Sequence, residues 1–167
     1  PSGDPLRDEV QLPRNALAPP GPFSSGIAAE VIDAADLEAT DLQRFESVFL
    51  CNIPAPSESA AAVLKRYVQA GGGLAFFLGE EADDGVEFNR VLGPSGANLL
   101  PLTLESPVAK SSKPGGAGLI RTGEHPITAA FPSGQDNLSE YVHFNSYYRL
   151  TEASADGTPQ PKAETPV

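Results

Sequence analysis

The chain has 167 residues, the length of one domain, and 40% of them are hydrophobic, so a modest core is attainable. Gly (16) and Pro (17) make up about a fifth of the chain, short of the roughly 25–30% that marks a disordered composition. A net charge of −11 argues against nucleic acid and anionic membrane surfaces as partners, because both require a basic footprint. The first 26 residues read as a loop segment, punctuated by Pro1, Pro5, Pro13, Pro19, Pro20 and Pro22. Only Gln11–Leu17 is left as a short helical turn, since each proline fixes φ and removes a donor.

The run 27–32, Ile-Ala-Ala-Glu-Val-Ile, reads as a strand ending at Asp33. Thr40 then offers an N-cap oxygen to a short helix over 41–45, with Leu42 and Phe45 on one face. Residues 47–53 form a continuous β-branched and aromatic run stopped by Pro54. Continuous rather than alternating hydrophobicity predicts a strand covered on both faces, as in a parallel sheet. Ser57 caps the clearest helix, 58–70, whose stripe is Ala60, Val63, Leu64, Tyr67 and Val68. Glu58 in its first turn, with Lys65 and Arg66 near its end, matches the helix dipole. Gly71-Gly72-Gly73 closes this helix, and 74–78 reads as a second doubly buried strand. Strand and helix alternate with short connections, the pattern of a doubly wound, mostly parallel α/β sheet.

An acidic loop, 80–84, leads into a short helix over 86–92. Residues 106–118 hold one Val and no larger apolar residue, which predicts an excursion. A short strand is expected at 119–121, a helical turn from His125 to Phe131, and β structure at 141–144 and 147–150. Residues 151–167 carry no large apolar residue and read as a flexible tail. The domain proper is thus expected over 27–150. No apolar run approaches the roughly 18 residues of a membrane span, and no signal-peptide core is present. The chain has no methionine, even at position 1, and is expected to be a piece of a longer one.

The chemistry-bearing residues are few. The triple glycine follows a helix and precedes a strand, the reverse of a phosphate loop, so it reads as a helix terminator. Cys51, the single cysteine, forms no internal disulfide and leaves the redox compartment open. It lies inside a hydrophobic run and not at a nucleophile elbow, and reads as a small buried hydrophobe. Glu80, Glu81, Asp83, Asp84 and Glu87 cluster within eight positions. They read as a solvated loop, with a divalent-cation module over Glu80–Glu87 as the alternative. His125 reads as a turn or cap residue. The alternative is a hydrolase or amidotransferase-like enzyme pairing His125 with Cys51 or a carboxylate. His143 reads as structural or surface, and the serines of 24–25 and 111–112 have no companion base.

Longer stretches carry a resemblance. They are Asn15-Ala16-Leu17-Ala18-Pro19, the run from Val48 to Pro54, and Leu64 through Tyr67-Val68-Gln69-Ala70-Gly71-Gly72-Gly73-Leu74 to Gly79. Phe88-Asn89-Arg90-Val91-Leu92, Leu99-Leu100-Pro101 and His125-Pro126-Ile127 follow. Together, over about Asn15 to Leu150, the chain resembles the class I glutamine amidotransferase-like domain of bacterial BatA-type membrane proteins. Those are aerotolerance-related proteins, often with a von Willebrand factor A domain. The resemblance implies a flavodoxin-like fold, here lacking its first and last strands, inside a membrane-anchored cell-envelope protein with this domain on the periplasmic side. It does not carry over the amidotransferase chemistry. After the strand leading to the nucleophile elbow stand Gly79, Glu80 and Glu81, with no Cys or Ser, and His125 lacks the His-x-Glu pattern. The expected function is therefore non-catalytic, without a cofactor: recognition of a protein, of other domains of the parent chain, or of a ligand. Its site is expected at the strand carboxyl edge, lined by Asn52, Pro54, Gly79, Glu80, Asp83, Asn89 and His125.

Overall fold

The computed structural model describes residues 9–22, 24–109 and 146–152. Within them the chain is mixed α/β. Three α-helices (α1, Gln11–Leu17; α2, Glu58–Gln69; α3, Val86–Leu92) accompany six strands. The strands are β1 (Ser47–Cys51), β2 (Gly73–Phe77), β3 (Thr103–Leu104), β4 (Val108–Ala109), β5 (Ser146–Tyr147) and β6 (Leu150–Thr151).

The organising unit is β1–α2–β2. The two strands pair in parallel, in register from Ser47 opposite Gly73 to Cys51 opposite Phe77, with α2 as the crossover. Helix α2 starts where the Ser57 hydroxyl accepts the Ala60 N–H at 3.0 Å. It ends at Gly71, whose φ of +102° is the left-handed conformation that favours glycine. The next residue, Gly72, lies against the Tyr67 ring so closely that a Cβ there would overlap it. The Tyr67 hydroxyl donates to the Phe45 carbonyl at 3.1 Å, which ties α2 to the entry of β1.

Two hydrophobic clusters hold the unit. One gathers Leu37, Leu42, Leu50, Ala60, Leu64 and Tyr67 between α2 and the inner face of the sheet. The other gathers Ala61, Ala82, Phe88, Val91, Leu92, Leu100 and Leu104 around α3. Phe76 and Leu99 touch both clusters and join them. Burying side chains such as Leu64, Leu92 and Phe88, all fully enclosed, contributes about 1.5–3 kcal/mol each.

Several expectations are corrected. Residues 27–32 form no strand, and Ile27 and Val31 stay exposed. A strand needs a ladder partner, and none of the described strands pairs with this run. The helix expected over 41–45 is a single 3-10 turn, Leu42–Arg44, capped by Asp41 and not by Thr40. The Thr40 hydroxyl instead donates to the Asp36 carbonyl at 2.8 Å, which closes the preceding turn. Strand β1 stops at Cys51, two residues early, because Asn52 turns to a positive φ of 44°. The double burial expected of both strands fails on one face, where Phe49 and Phe77 are exposed. The excursion expected from 106 is interrupted by β4, which pairs antiparallel with β5. Thr151, placed in the tail, is buried in β6 opposite Thr103. The expected elements at 119–121, 125–131 and 141–144 lie outside the described residues, as do His125, His143 and the tail from 153 onward.

Candidate functional site

The carboxyl ends of β1 and β2 lie side by side, and Asn52 organises the loops that leave them. Its N–H extends the ladder by donating to the Phe77 carbonyl at 2.8 Å. Its side-chain oxygen accepts the Glu81 N–H at 3.0 Å, and its amide nitrogen donates to Glu9 at 3.1 Å. One side chain thus joins the N-terminal segment, the end of β1 and the loop after β2. Gly79 passes so close that a Cβ would collide with the Asn52 amide, so any side chain here displaces that amide.

The loop after β2 makes a 3-10 turn, Glu80–Ala82, and is held from the far end of the chain. The Tyr148 hydroxyl donates to the Asp83 carbonyl at 2.7 Å, with the Gly79 carbonyl at 3.3 Å as a second acceptor. Burial, then the nearby Asp83 and Asp84 carboxylates, push the Tyr148 phenol pKa up from its ordinary value. Asp83 itself has a positive φ of 51°, an uncommon conformation for a residue with a side chain.

Between this loop and the segment after β1 lies a cleft of about 390 Å³. Pro54, Ala55, Pro56 and Ser57 form one wall, and Glu81, Ala82, Asp83 and Asp84 the other, with Glu87 and Arg90 of α3 completing it. Arg90 bridges the elements. Its Nε donates to Glu87 and its Nη1 to Glu58, each at 2.8 Å. The bonds to Glu58 and Glu87 push the guanidinium pKa further up, so Arg90 is a fixed positive charge in an otherwise acidic rim. These ion pairs are exposed and screened by water, so they contribute little stability and their main effect here is on local charge. Among the described residues lining the cleft, the one hydroxyl is that of Ser57, and it is already committed. It caps α2 and donates to Glu38 at 2.6 Å.

Of the residues expected at this edge, Pro54 and Asp83 line the cleft. Asn52 and Gly79 stand behind it and shape the loop, and Glu80 opens the 3-10 turn. Asn89 faces elsewhere, binding the Leu104 backbone through its amide. Sequence reasoning passed over Ala55, Pro56, Ser57 and Arg90. The i,i+3 spacing of Glu87 and Arg90 on α3 was the one available signal for the arginine. Cys51 belongs to β1 and does not line the cleft. Burial, then Glu9, push its thiol pKa upward, opposite to an activated nucleophile. Among the described residues no group of three or more His, Cys, Asp or Glu side chains is placed to hold a metal ion.

Comparison with protein families, curated proteins and solved structures returned no match. Among the described residues no helix is long and apolar enough to cross a membrane.

Proposed function

We propose that this chain is a non-catalytic, class I glutamine amidotransferase-like domain with a flavodoxin-like plan, working as an interaction module through the cleft at its strand carboxyl edge. In this reading it belongs to a membrane-anchored bacterial cell-envelope protein of the BatA type and lies on the periplasmic side. Its partner is a protein, another domain of the parent chain, or a ligand. The β1–α2–β2 unit with its glycine-closed helix is compatible with the resemblance, since it is the parallel crossover such a plan requires.

The observation that carries the non-catalytic reading is the chemistry of the strand ends. Where an elbow would present a thiol or hydroxyl, the chain presents Gly79-Glu80-Glu81, whose backbone is bound to the Asn52 side chain. The cleft beside it is open, acidic-rimmed and walled on one side by prolines. Among the described lining residues no free nucleophile stands, which supports recognition over catalysis.

Glutamine hydrolysis and backbone-amide NMR test the two halves of the proposal. Ammonia release from glutamine is expected to stay at the buffer rate for the chain and for Cys51→Ala alike. A rate that Cys51→Ala abolishes overturns the non-catalytic reading. Titration with a tetralysine peptide is expected to shift the amides of residues 81–87. Shifts spread evenly over the acidic surface, or absent at the cleft, overturn its role as the recognition site.

A further inference from the structure

Asp83 holds a backbone conformation that its side chain disfavours. Its φ of 51° and ψ of −124° are those of the second residue of a type II′ turn, a position that glycine dominates. The turn runs from Ala82 to Gly85 and is closed by the Gly85 N–H, which donates to the Ala82 carbonyl at 3.0 Å. A residue with a side chain persists in such a place only when its surroundings hold it there. The holding contact comes from Tyr148. Its hydroxyl donates to the carbonyl of Asp83 itself at 2.7 Å, across 65 positions of sequence.

Rotating the peptide between Asp83 and Asp84 by half a turn gives a type I′ turn, whose two central residues both have positive φ near the left-handed helical region. Asp tolerates that region because its short polar side chain bonds locally. The rotation changes only ψ of Asp83 and φ of Asp84. It therefore keeps the bond from Gly85 to Ala82, and the bond at 2.9 Å from the Val86 N–H to the Asp84 carboxylate. The phenol keeps an acceptor too, since the Gly79 carbonyl lies 3.3 Å away. The Asp84 N–H has no acceptor among the described residues, so turning it over breaks nothing there. Among those residues, the Tyr148–Asp83 bond is what separates the two orientations.

We propose that the Asp83–Asp84 peptide is a two-state switch in the cleft wall, latched in its strained orientation by Tyr148 and turning over when that hydroxyl withdraws. Asp83 and Asp84 both line the cleft, and Tyr148 does not. In the latched state the carbonyl is turned to Tyr148 and the Asp84 N–H away from it. In the released state the two groups exchange sides, and the wall offers a cation one more acceptor and one donor fewer. Tyr148 stands in the link between β5 and β6, so movement of that link sets the state of the wall. The consequence for binding rests on the cleft being the recognition surface; the flip itself does not.

Amide NMR and urea unfolding of the full 167-residue chain test the switch. Tyr148→Phe removes the hydroxyl and keeps the ring, which lies beside Gly85. A close approach of the Asp83 and Asp84 amide protons marks the released turn. A ψ of about +30° brings successive N–H groups together, whereas −124° holds them apart. The wild type is expected to lack that contact and Tyr148→Phe to show it. Adding Asp83→Gly to Tyr148→Phe is expected to remove it again, since glycine accepts the type II′ position unaided. Asp83→Gly alone is expected to unfold at higher urea than Asp83→Asn, which removes the same charge but keeps a side chain. Tyr148→Phe without the amide contact overturns the latch. An Asp83→Gly midpoint no higher than that of Asp83→Asn overturns the strain behind it. Tetralysine is expected to bind Tyr148→Phe several-fold more tightly than the wild type, and equal affinity overturns the link to the cleft. The amide contact is read without ligand, so it decides the flip even where tetralysine binds neither form and the recognition reading fails.

Discussion

Asn89 and Leu104 exchange two hydrogen bonds across the fold: the Asn89 amide donates to the Leu104 carbonyl at 2.7 Å, and its oxygen accepts the Leu104 N–H at 2.8 Å. The side-chain amide acts as a strand partner. It satisfies both backbone groups of a residue whose side chain is buried in the α3 cluster. Asn89→Ala leaves both groups without that partner, at about 1–3 kcal/mol for each one left unpaired. Urea unfolding is expected to show a lower midpoint with an unchanged slope. Asn89→Asp keeps one acceptor but sets a carboxylate against a carbonyl, and is expected to fall below the wild type as well. A wild-type midpoint for Asn89→Ala contradicts the assignment.

How much of this was legible depended on the range of each interaction. The Ser57 cap, most of the α2 stripe and the span of α3 follow from residues within four positions of one another, whereas Ala61, buried in the cluster around α3, falls outside the expected stripe because that contact is tertiary. Thr40 misled because both it and Asp41 are capping residue types. The choice was settled by the Asp36 carbonyl, which takes the Thr40 hydroxyl. The 27–32 run misled because hydrophobicity marks an eligible strand without supplying a pairing partner. Asn89 reads as a strand-edge residue only by fold analogy, whereas its partner lies fifteen residues away and is set by tertiary packing. The cleft was half-legible: its acidic wall is contiguous in sequence, and its arginine arrives from a helix.

The Gly79–Asn52 contact predicts a coupled defect. In Gly79→Ala the new Cβ collides with the Asn52 amide, which must swing away and release the Glu81 N–H. Hydrogen exchange at Glu81 is expected to accelerate markedly while the amides of α2 keep their protection. Asn52→Ala removes the same acceptor without the collision and is expected to accelerate Glu81 in the same way. Unchanged exchange at Glu81 in both variants rules out the role of Asn52 in holding the loop after β2.

Tyr67 and Tyr148 make the fold sensitive to alkali. Burial, then carboxylates near each phenol, raise both pKa values above the ordinary value of 10.0. A phenol with a raised folded pKa holds its proton longer when folded, so the folded state binds more protons above pH about 10 and loses stability as pH rises further. Below that pH the two groups contribute no slope. Thermal midpoints are expected to be flat in this respect up to about pH 10 and then to fall. Tyr67→Phe is expected to flatten the decline, at a cost of about 0.5–1.5 kcal/mol for the lost bond to Phe45.

Cys51 is expected to be a sluggish thiol. Burial, then the Glu9 carboxylate, lift its pKa above the ordinary 9.0, and the thiolate is the reacting species. The pH profile of its modification rate is expected to lie at higher pH in the folded chain than in urea. Glu9→Gln is expected to move the folded profile part of the way back, since burial remains as the larger cause. A thiol that reacts fully at neutral pH would restore a nucleophilic role for Cys51.

The start of α2 links a helix cap to an acid titration. Ser57 accepts the Ala60 N–H while donating to Glu38, and Ser59 donates to the same carboxylate oxygen at 2.7 Å. The bonds from Ser57, then Ser59, hold the Glu38 pKa below its ordinary 4.5. A carboxylate with a depressed folded pKa stabilises the fold above its unfolded pKa, and that contribution is lost as pH falls through the folded value. Ser57→Ala removes the cap, at about 1 kcal/mol, and one of the two donors to Glu38. Side-chain carboxyl NMR is therefore expected to show the Glu38 titration moving up toward its ordinary value in Ser57→Ala. Ser59→Ala is expected to move it less and to leave the cap intact, so its stability at neutral pH stays closer to wild type. If Ser57→Ala lowers stability without moving the Glu38 titration, the hydroxyl acts as a cap alone and the link between Glu38 and α2 is lost.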